Sequence, residues 1–493
     1  MSIADRWIWI EGDRIKAIGR FGEFDEAQAD EVIDARGKWV IPGLMDANVH
    51  LLLDMRLENL VRFEKQYEDL ITEAAQIALK NGVTTVFDTW GPRQHLVSVR
   101  GEINAGRRVG SRIFCAGNII GLGGPLSEDF LGKSAEIASA QLALRINHIW
   151  AETVGPELTW MTPDAVAERV RSYIARGEID FVKFASSEHR VPMGGSAFLA
   201  LSPRVQTSIV DEAHAAGITA QAHVQSVEAL RVSIEAGADI IQHCNITGPV
   251  PIPESTLALL AKRGTACTVF PLTRRRARWL AEHGDVLTRR LFTEPTVATN
   301  VKNLITSGAT LLLATDSGVL AAESSTDAAL GAVYSGEDNL FELGEGHFHW
   351  LRAMEERGLA PMEALRAATV NVAKAYQKDR DLGSLEAGKI ADIVILDKNP
   401  LQDAENYRSI HKIIQAGKVI DRSSLPTERL LSVLQPSNGL KPAFLGPVSG
   451  LPPCCGLRHF DDGFFPRADQ SIELPGRQSE DYSDPSLTCD YSR

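Results

Sequence analysis

No apolar run among the 493 residues reaches the ~18 to 20 positions that a membrane helix needs. Met1 to Arg6 lack the basic patch and following apolar stretch of a secretory signal, so a cytoplasmic location is expected. Basic residues are in deficit: 51 Lys and Arg against 64 Asp and Glu give a formal charge of −13. That balance disfavours nucleic acid and other phosphate-rich partners, whose binders rely on clustered Lys and Arg. The one basic run, Arg274-Arg-Arg-Ala-Arg278, falls in a helical pattern with Trp279 and Leu280 and reads as a solvated helix face. Cys115, Cys244, Cys267, Cys454, Cys455 and Cys489 show no zinc-finger spacing, which leaves free thiols as the default. Cys244 follows His243 directly and on a strand would point away from it. No G-x-G-x-x-G follows the first strand-like run, which argues against a dinucleotide-binding doubly wound sheet.

What is present is ordinary globular composition, 44% hydrophobic and 23% charged. Trp7 to Gly19 reads as two short strands around a Gly-Asp turn, and a similar pattern returns at Ala391 to Asp397 and His411 to Ile420. Between them strand-like runs alternate with helical patterns: Thr84 to Phe87, Phe181 to Phe184, Thr219 to His223, Ile240 to His243, Ala266 to Phe270 and Thr310 to Ala314. Asn81-Gly-Val, Ala216-Gly-Ile, Ala236-Gly-Ala, Arg263-Gly-Thr and Ser307-Gly-Ala look like helix C-caps feeding buried parallel strands. The expected fold is α/β, a (β/α)8 TIM-type barrel with a small β-sandwich formed from both chain ends. The expected division is 1–40 with 380–425 as the small β domain, 41–379 as the barrel and 426–493 as an irregular tail. Residues 434–493 are rich in Pro, Gly, Ser and Asp and show no sustained periodicity.

A barrel of this kind carries its active site at the C-terminal ends of its strands, so the polar residues ending each apolar run are the candidates. They are Asn48 and His50 in Val40-Ile-Pro-Gly-Leu-Met-Asp-Ala-Asn-Val-His50, Lys183 in Asp-Phe-Val-Lys-Phe-Ala, His223 in Ala-Gln-Ala-His-Val, His243 in Ile-Ile-Gln-His-Cys, and Asp316 in Ala-Thr-Asp-Ser-Gly. Asn48 and His50 lie two apart and face one site. Each residue alone has an ordinary reading: a satisfied core histidine, a lysine reaching solvent, an aspartate capping a turn. Together they read as a metal site, because imidazole and carboxylate are preferred zinc ligands.

These motifs, with Gly-Val-Thr-Thr-Val, Ala-Ala-Thr-Val-Asn-Val-Ala-Lys-Ala and Leu-Gly-Ser-Leu-Glu-Ala-Gly-Lys-Ile-Ala-Asp, resemble the amidohydrolase superfamily from about residue 7 to 425. The resemblance implies a divalent metal, zinc foremost with cobalt or manganese as alternatives, and one or two ions per subunit. It implies that Lys183 is carboxylated to bridge metals, since a free ammonium has no lone pair. It makes His223 and His243 the fifth- and sixth-strand ligands and Asp316 the eighth-strand aspartate, so that Asn48, His50, Lys183, His223, His243 and Asp316 form the metal set. The departure is Asn48, where the family has histidine. A neutral amide oxygen is a weaker donor, so the metal position shared with His50 and Asp316 is expected to hold its ion less tightly or to remain empty. An Asn-x-His pair resembles the phenylurea hydrolases and molinate hydrolase. A second departure is the start: members usually carry another strand pair before the Glu-Gly-Asp-Arg-Ile turn, so a small sheet short of strands or a late start is expected.

The implied reaction is metal-dependent hydrolysis of a urea-type C–N bond, phenylureas to anilines, with Asp316 as proton shuttle and Lys183 as the second catalytic residue. Trp90, His148, Trp150, His189, Phe270 and Phe348 are candidates for the substrate pocket, each also readable as core. Thiocarbamate hydrolysis and prolidase-like dipeptidase activity are the alternatives, Arg190 or Arg204 being possible carboxylate anchors for the latter. A barrel without catalysis, serving as a binding or assembly subunit, is the non-enzyme alternative. The expected partners are a small-molecule substrate and further copies of the chain, with no nucleic acid and no membrane.

Overall fold

Between Leu44 and Val319 strands and helices succeed one another, and the strands of the computed structural model pair in parallel with their neighbours. Residues 5–54, 60, 61, 63–127, 140–188, 198–283, 294–319 and 336–427 are described. The chain divides into two compact units, Met1–Gln435 and Pro436–Arg493; the expected irregular tail lies outside the described residues, apart from its first two.

The small β region comes first and last in the chain. Strands β1 (Arg6–Glu11) and β2 (Arg14–Arg20) form an antiparallel hairpin. Strand β3 (Trp39–Pro42) joins a four-stranded antiparallel sheet whose other members come from the far end of the sequence. Ile8 and Ile10 of the hairpin pack against Ile393, Ile395 and Ile414 of that sheet, so alternate residues on two facing layers bury one another.

Strands β4 (Leu44–Asp54), β5 (Val83–Asp88), β6 (Arg112–Cys115), β7 (Ile119–Ile120), β8 (Phe181–Ala185), β9 (Thr219–His223), β10 (Ile240–Gln242), β11 (Ala266–Thr268), β12 (Leu311–Leu312) and β13 (Ser317–Val319) make the barrel. The third position is split into β6 and β7 and the eighth into β12 and β13. One sheet runs β13-β4-β5-β6 and the other β12-β11-β10-β9-β8-β7, so the two split positions stitch the sheets into one closed ring. Every residue of β5, β8 and β9 is buried, as expected of parallel strands covered on one face by helices and on the other by the barrel interior. Strands β14 (Ile393–Leu396), β15 (Ile410–Gln415) and β16 (Lys418–Val419) then complete the small sheet in the order β16-β15-β14-β3.

Local chemistry sets these boundaries. Helices Pro163–Ala175 and Pro203–Ala215 begin on Thr162 and Ser202, whose hydroxyls accept the Ala165 and Val205 N–H groups, with proline at the first helical position, where no N–H is needed. The glycines expected to end helices do so in the left-handed region, Gly82 at φ 87° and Gly264 at φ 68°. The barrel floor is aromatic: Tyr376 stacks on Phe87 at 3.8 Å between centroids and meets Phe181 edge-on at 4.8 Å.

The basic run differs from expectation at one residue, while the described cysteines are free thiols as expected. Of the run Arg274 to Arg278, Arg276 turns inward and is buried, and burial lowers its pKa to about 10, against the opposing pull of Asp338. Cys244 and Cys267 are both buried free thiols; burial raises the Cys267 thiol well above its ordinary value, with Cys244 beside it. Among the described residues no helix is long and apolar enough to cross a membrane.

Candidate active site

Strand β4 brings Asn48 and His50 to the C-terminal end of the barrel. The neighbouring eighth position is pinned to it by Asp46. Asp46 Oδ1 accepts the Asn48 and Thr315 backbone N–H groups at 3.1 and 3.2 Å, and Oδ2 accepts the Thr315 hydroxyl at 2.7 Å. Burial pushes the Asp46 carboxyl up to about 7, although these three hydrogen bonds oppose the rise. Beside the clamp, Asp316 adopts φ 53°, a left-handed conformation that aspartate tolerates better than most residues. Its N–H donates to the Asn48 carbonyl at 2.8 Å, and the side chain thereby meets His50.

His50 Nε2 lies 2.9 Å from Asp316 Oδ1, while its Nδ1 faces the Trp90 carbonyl at 3.4 Å. A carboxylate and a carbonyl can only accept, so Nε2 donates to Asp316, and the longer contact to Trp90 is one that only a hydrogen on Nδ1 can make. Burial alone would raise Asp316. The His50 ring, with Lys183 and His243 beyond it, outweighs burial and holds the carboxyl well below the ordinary carboxylate range. Its side chain is 24% exposed against 8% for His50, so it is the member of the pair that solvent can reach.

On the far wall the rings of His223 and His243 meet, with His243 Nε2 at 2.8 Å from His223 Nδ1 and centroids 4.5 Å apart. His243 sits just past β10 at φ 39°, a strained conformation for a bulky residue. Thr268 holds it there: the His243 N–H donates to Thr268 Oγ1 at 2.7 Å, and that hydroxyl donates to Gln242 Oε1 at 2.8 Å. Burial lowers the His243 ring to about 4, with Asp316 opposing, so the ring is neutral and keeps a lone pair for a cation at pH 7.

Between these pairs lies Lys183, buried on β8. Its Nζ donates to Thr89 Oγ1 at 3.0 Å, and among the described residues no carboxylate stands within ion-pair distance. Burial lowers it to about 8, opposed by Asp316 and Asp88. The Thr89 hydroxyl in turn donates to Asn48 Oδ1, leaving Asn48 Nδ2 buried without a hydrogen-bond partner among the described residues. Asp88 accepts the Leu51 and Trp90 N–H groups at 2.8 and 3.1 Å, and burial pushes it up to about 6 against the pull of His50.

The aromatic candidates divide. Phe270 packs 5.4 Å from the His243 ring. Trp90 meets His50 edge-on at 6.3 Å, but it is buried and its indole N–H donates to Asn118 Oδ1 at 2.8 Å. Trp150 is buried against Tyr67 at 5.9 Å, on the helix Ala140–Ala151 that carries an exposed His148. Phe348 lies under the Arg408 guanidinium at 4.4 Å and beside His347. The His347 ring donates to the carbonyl of Asn81, at the entering end of β5, so Phe348 stands away from the histidine pairs. His189 lies outside the described residues, as does Arg190; Arg204 is exposed on the helix Pro203–Ala215.

Sequence reasoning missed Thr89, Asp88, Asp46 and Thr268. The first two were within reach, since Asp88-Thr89 closes the apolar run of β5 just as His223 closes that of β9. Among the described residues no three His, Cys, Asp or Glu side chains gather closely enough to hold an ion. The donors stand as two pairs with Lys183 between them. Their types fit a divalent cation: imidazoles, an ionised carboxylate and a buried amine that makes no ion pair among the described residues.

The amidohydrolase family model matches residues 39–420. Molinate hydrolase superimposes with a TM-score of 0.81 at 35% identity, over 88% of this chain and 94% of that one. Phenylurea hydrolase B does so with a TM-score of 0.79 at 36% identity, over 86% and 94%. Adenine deaminase of Clostridium botulinum (strain Loch Maree / Type A3) is 31% identical over 99 residues, 20% of this chain and only 16% of that enzyme. The amidohydrolase family is generally metal-dependent, in keeping with the donor types at the strand ends. With the family's match running from β3 through the barrel to the last strands of the small sheet, the chain belongs to the amidohydrolase family.

Proposed function

We propose that this protein hydrolyses a urea-type C–N bond in a small apolar molecule, a phenylurea above all, releasing a substituted aniline, with a divalent metal held by His50, Lys183, His223, His243 and Asp316. The observation that carries the reading is the His50–Asp316 pair, its carboxylate partly open to solvent, facing the two buried imidazoles of His223 and His243 across a buried lysine. The likeness to phenylurea hydrolase B over most of both chains supports the substrate class.

Lys183 fits carboxylation. The reaction with carbon dioxide needs a neutral amine, and burial brings the lysine to about 8, so a useful neutral fraction exists near pH 7. Carboxylation would also replace a buried ammonium, costly where no carboxylate among the described residues pairs with it directly, by an anion with two oxygen donors. A divalent cation bound among these residues lowers the pKa of a water towards neutrality and polarises a carbonyl oxygen. Zinc matches the imidazole-rich set, with cobalt or manganese as alternatives.

Asp316 accepts the proton of the attacking water and passes it to the departing nitrogen. This second step is needed because an unprotonated amide nitrogen is a very poor leaving group. General acid and base assistance of this type is typically worth ~10² to 10⁴ in rate. His50 keeps the carboxylate ionised and aimed. Phe270, beside His243, offers an apolar wall suited to an aromatic ring.

A thiocarbamate substrate is the second reading, favoured by the equally close likeness to molinate hydrolase. The polar set at the strand ends argues against a barrel without catalysis. Self-association and a cytoplasmic location belong to the same proposal, and neither enters the chemistry. A panel of a phenylurea, a thiocarbamate and an acyl-amino acid, assayed side by side, tests it. Aniline release from the phenylurea is the expected result; turnover of the acyl-amino acid alone would replace this reading with a peptidase.

A further inference from the structure

The Asn48 amide is tied down at one end only. A lysine nitrogen in either an ammonium or a carbamate bears hydrogen and donates, so Thr89 Oγ1 is the acceptor in its contact with Lys183. The single Thr89 proton is then free to go to Asn48 Oδ1. This chain of donors fixes which way round the amide sits. A carbamate nitrogen keeps one hydrogen, so the same chain survives carboxylation of Lys183.

At the other end Asn48 Nδ2 presents two hydrogens, is fully buried and meets no acceptor among the described residues. Buried polar groups are paired in the great majority of cases, and a persistent exception calls for a partner that arrives later. The residue stands two positions before His50 on the same strand, in the ring of side chains just assigned to the reaction. A metal-ligand role for Asn48 would use the oxygen already engaged by Thr89 and leave the amide hydrogens idle.

We propose that Asn48 serves as a hydrogen-bond donor to the substrate, its Nδ2–H receiving the scissile carbonyl oxygen as that oxygen gains negative charge, rather than as a ligand to the metal. Thr89 is the positioning residue that keeps the amide from turning over. The inference rests on the metal-hydrolase reading above and deepens it. When water adds to the carbonyl carbon, the carbonyl π electrons move onto oxygen. Asn48 keeps its protons throughout and stabilises that charge, as donors aimed at a developing oxyanion do.

Zinc affinity separates donor from ligand. Competition against a chromophoric chelator is expected to give the native protein and Asn48→Ala dissociation constants within about threefold of each other, while His223→Ala weakens zinc by about tenfold or more. On N-phenylurea, Asn48→Ala is expected to lose about 100-fold in kcat with little change in KM. Thr89→Val loses about tenfold and Thr89→Ser regains most of it. If Asn48→Ala does not fold, the nearly isosteric Asn48→Leu replaces it. Zinc weakened tenfold or more in the Asn48 variant would make it a ligand and overturn the inference, as would an unchanged kcat. A native protein that binds no zinc would fail differently: the metal-hydrolase reading would fall first, and the inference with it.

Discussion

His50 Nε2 and Asp316 Oδ1 stand 2.9 Å apart although 266 residues separate them in sequence. The contact exists because β4 and β13 are neighbours in parallel register, Val49 opposite Ser317, and because Asp46 ties Thr315 to the same strand. The pair gives the barrel a carboxylate that stays ionised at neutral pH while solvent still reaches it.

The proton-shuttle role of Asp316 predicts that Asp316→Asn retains bound metal but loses about 10² to 10⁴ in kcat. The comparison is metal content and turnover on the same preparation. Turnover near that of the native protein would remove Asp316 from the proton path.

Lys183→Ala is expected to be inactive and to recover part of its turnover when short carboxylates such as propionate are added, because these restore oxygen donors where the carbamate would lie. Full activity without such additives would end the carboxylation proposal.

The strained backbone of His243 gives a third test. Thr268→Val keeps the shape of the side chain but deletes the hydroxyl that accepts the His243 N–H. Metal affinity is expected to fall about 10- to 100-fold, with Thr268→Ser close to native. Equal affinity in all three proteins would show that the left-handed conformation holds without the hydroxyl.

Asn48→His restores a second imidazole beside His50. Metal content per chain is expected to rise relative to the native protein; unchanged content would mean that the position does not face the ion.

His347 predicts an acid response far from the chemistry. Burial lowers this ring to about 3, although its bond to the Asn81 carbonyl opposes the shift, so the folded protein binds its proton far more weakly than the unfolded chain. A depressed histidine contributes stability that is fully present above its ordinary pKa near 6.5 and is lost as pH falls from there towards about 3. Between pH 6.5 and 5 the native melting temperature is expected to fall more steeply than that of His347→Gln. Parallel curves would show that this ring does not titrate on unfolding.

The sequence made some of this legible and not the rest, for physical reasons. His223, Lys183 and Asp316 end or interrupt apolar runs, and a polar side chain there has few places to go but the strand ends of a barrel. Strand β6 escaped notice because Arg112–Cys115 is only four residues long and alternates half-buried with buried positions. The eighth position breaks between Leu312 and Ser317 because Thr315 turns to meet Asp46, a tertiary contact that periodicity does not encode. Phe348 reads in the sequence as an aromatic that a strand-end loop could supply to the pocket. It lies on the helix Gly346–Glu356, and only three-dimensional packing reveals that this part of the helix meets Asn81 and Arg408. Thr89 and Thr268 act through single hydroxyls on backbone or side-chain neighbours, contacts that a motif does not display.

These side chains are expected to hold a cation that hydrolysis requires. Elemental analysis of gently purified protein, repeated after chelation and after adding back zinc, cobalt or manganese, tests it directly when each sample is also assayed on a phenylurea. At least one divalent ion per chain, turnover lost with the ion and restored by its return, is the expected result. Undiminished turnover in protein shown to be free of divalent metal would contradict it.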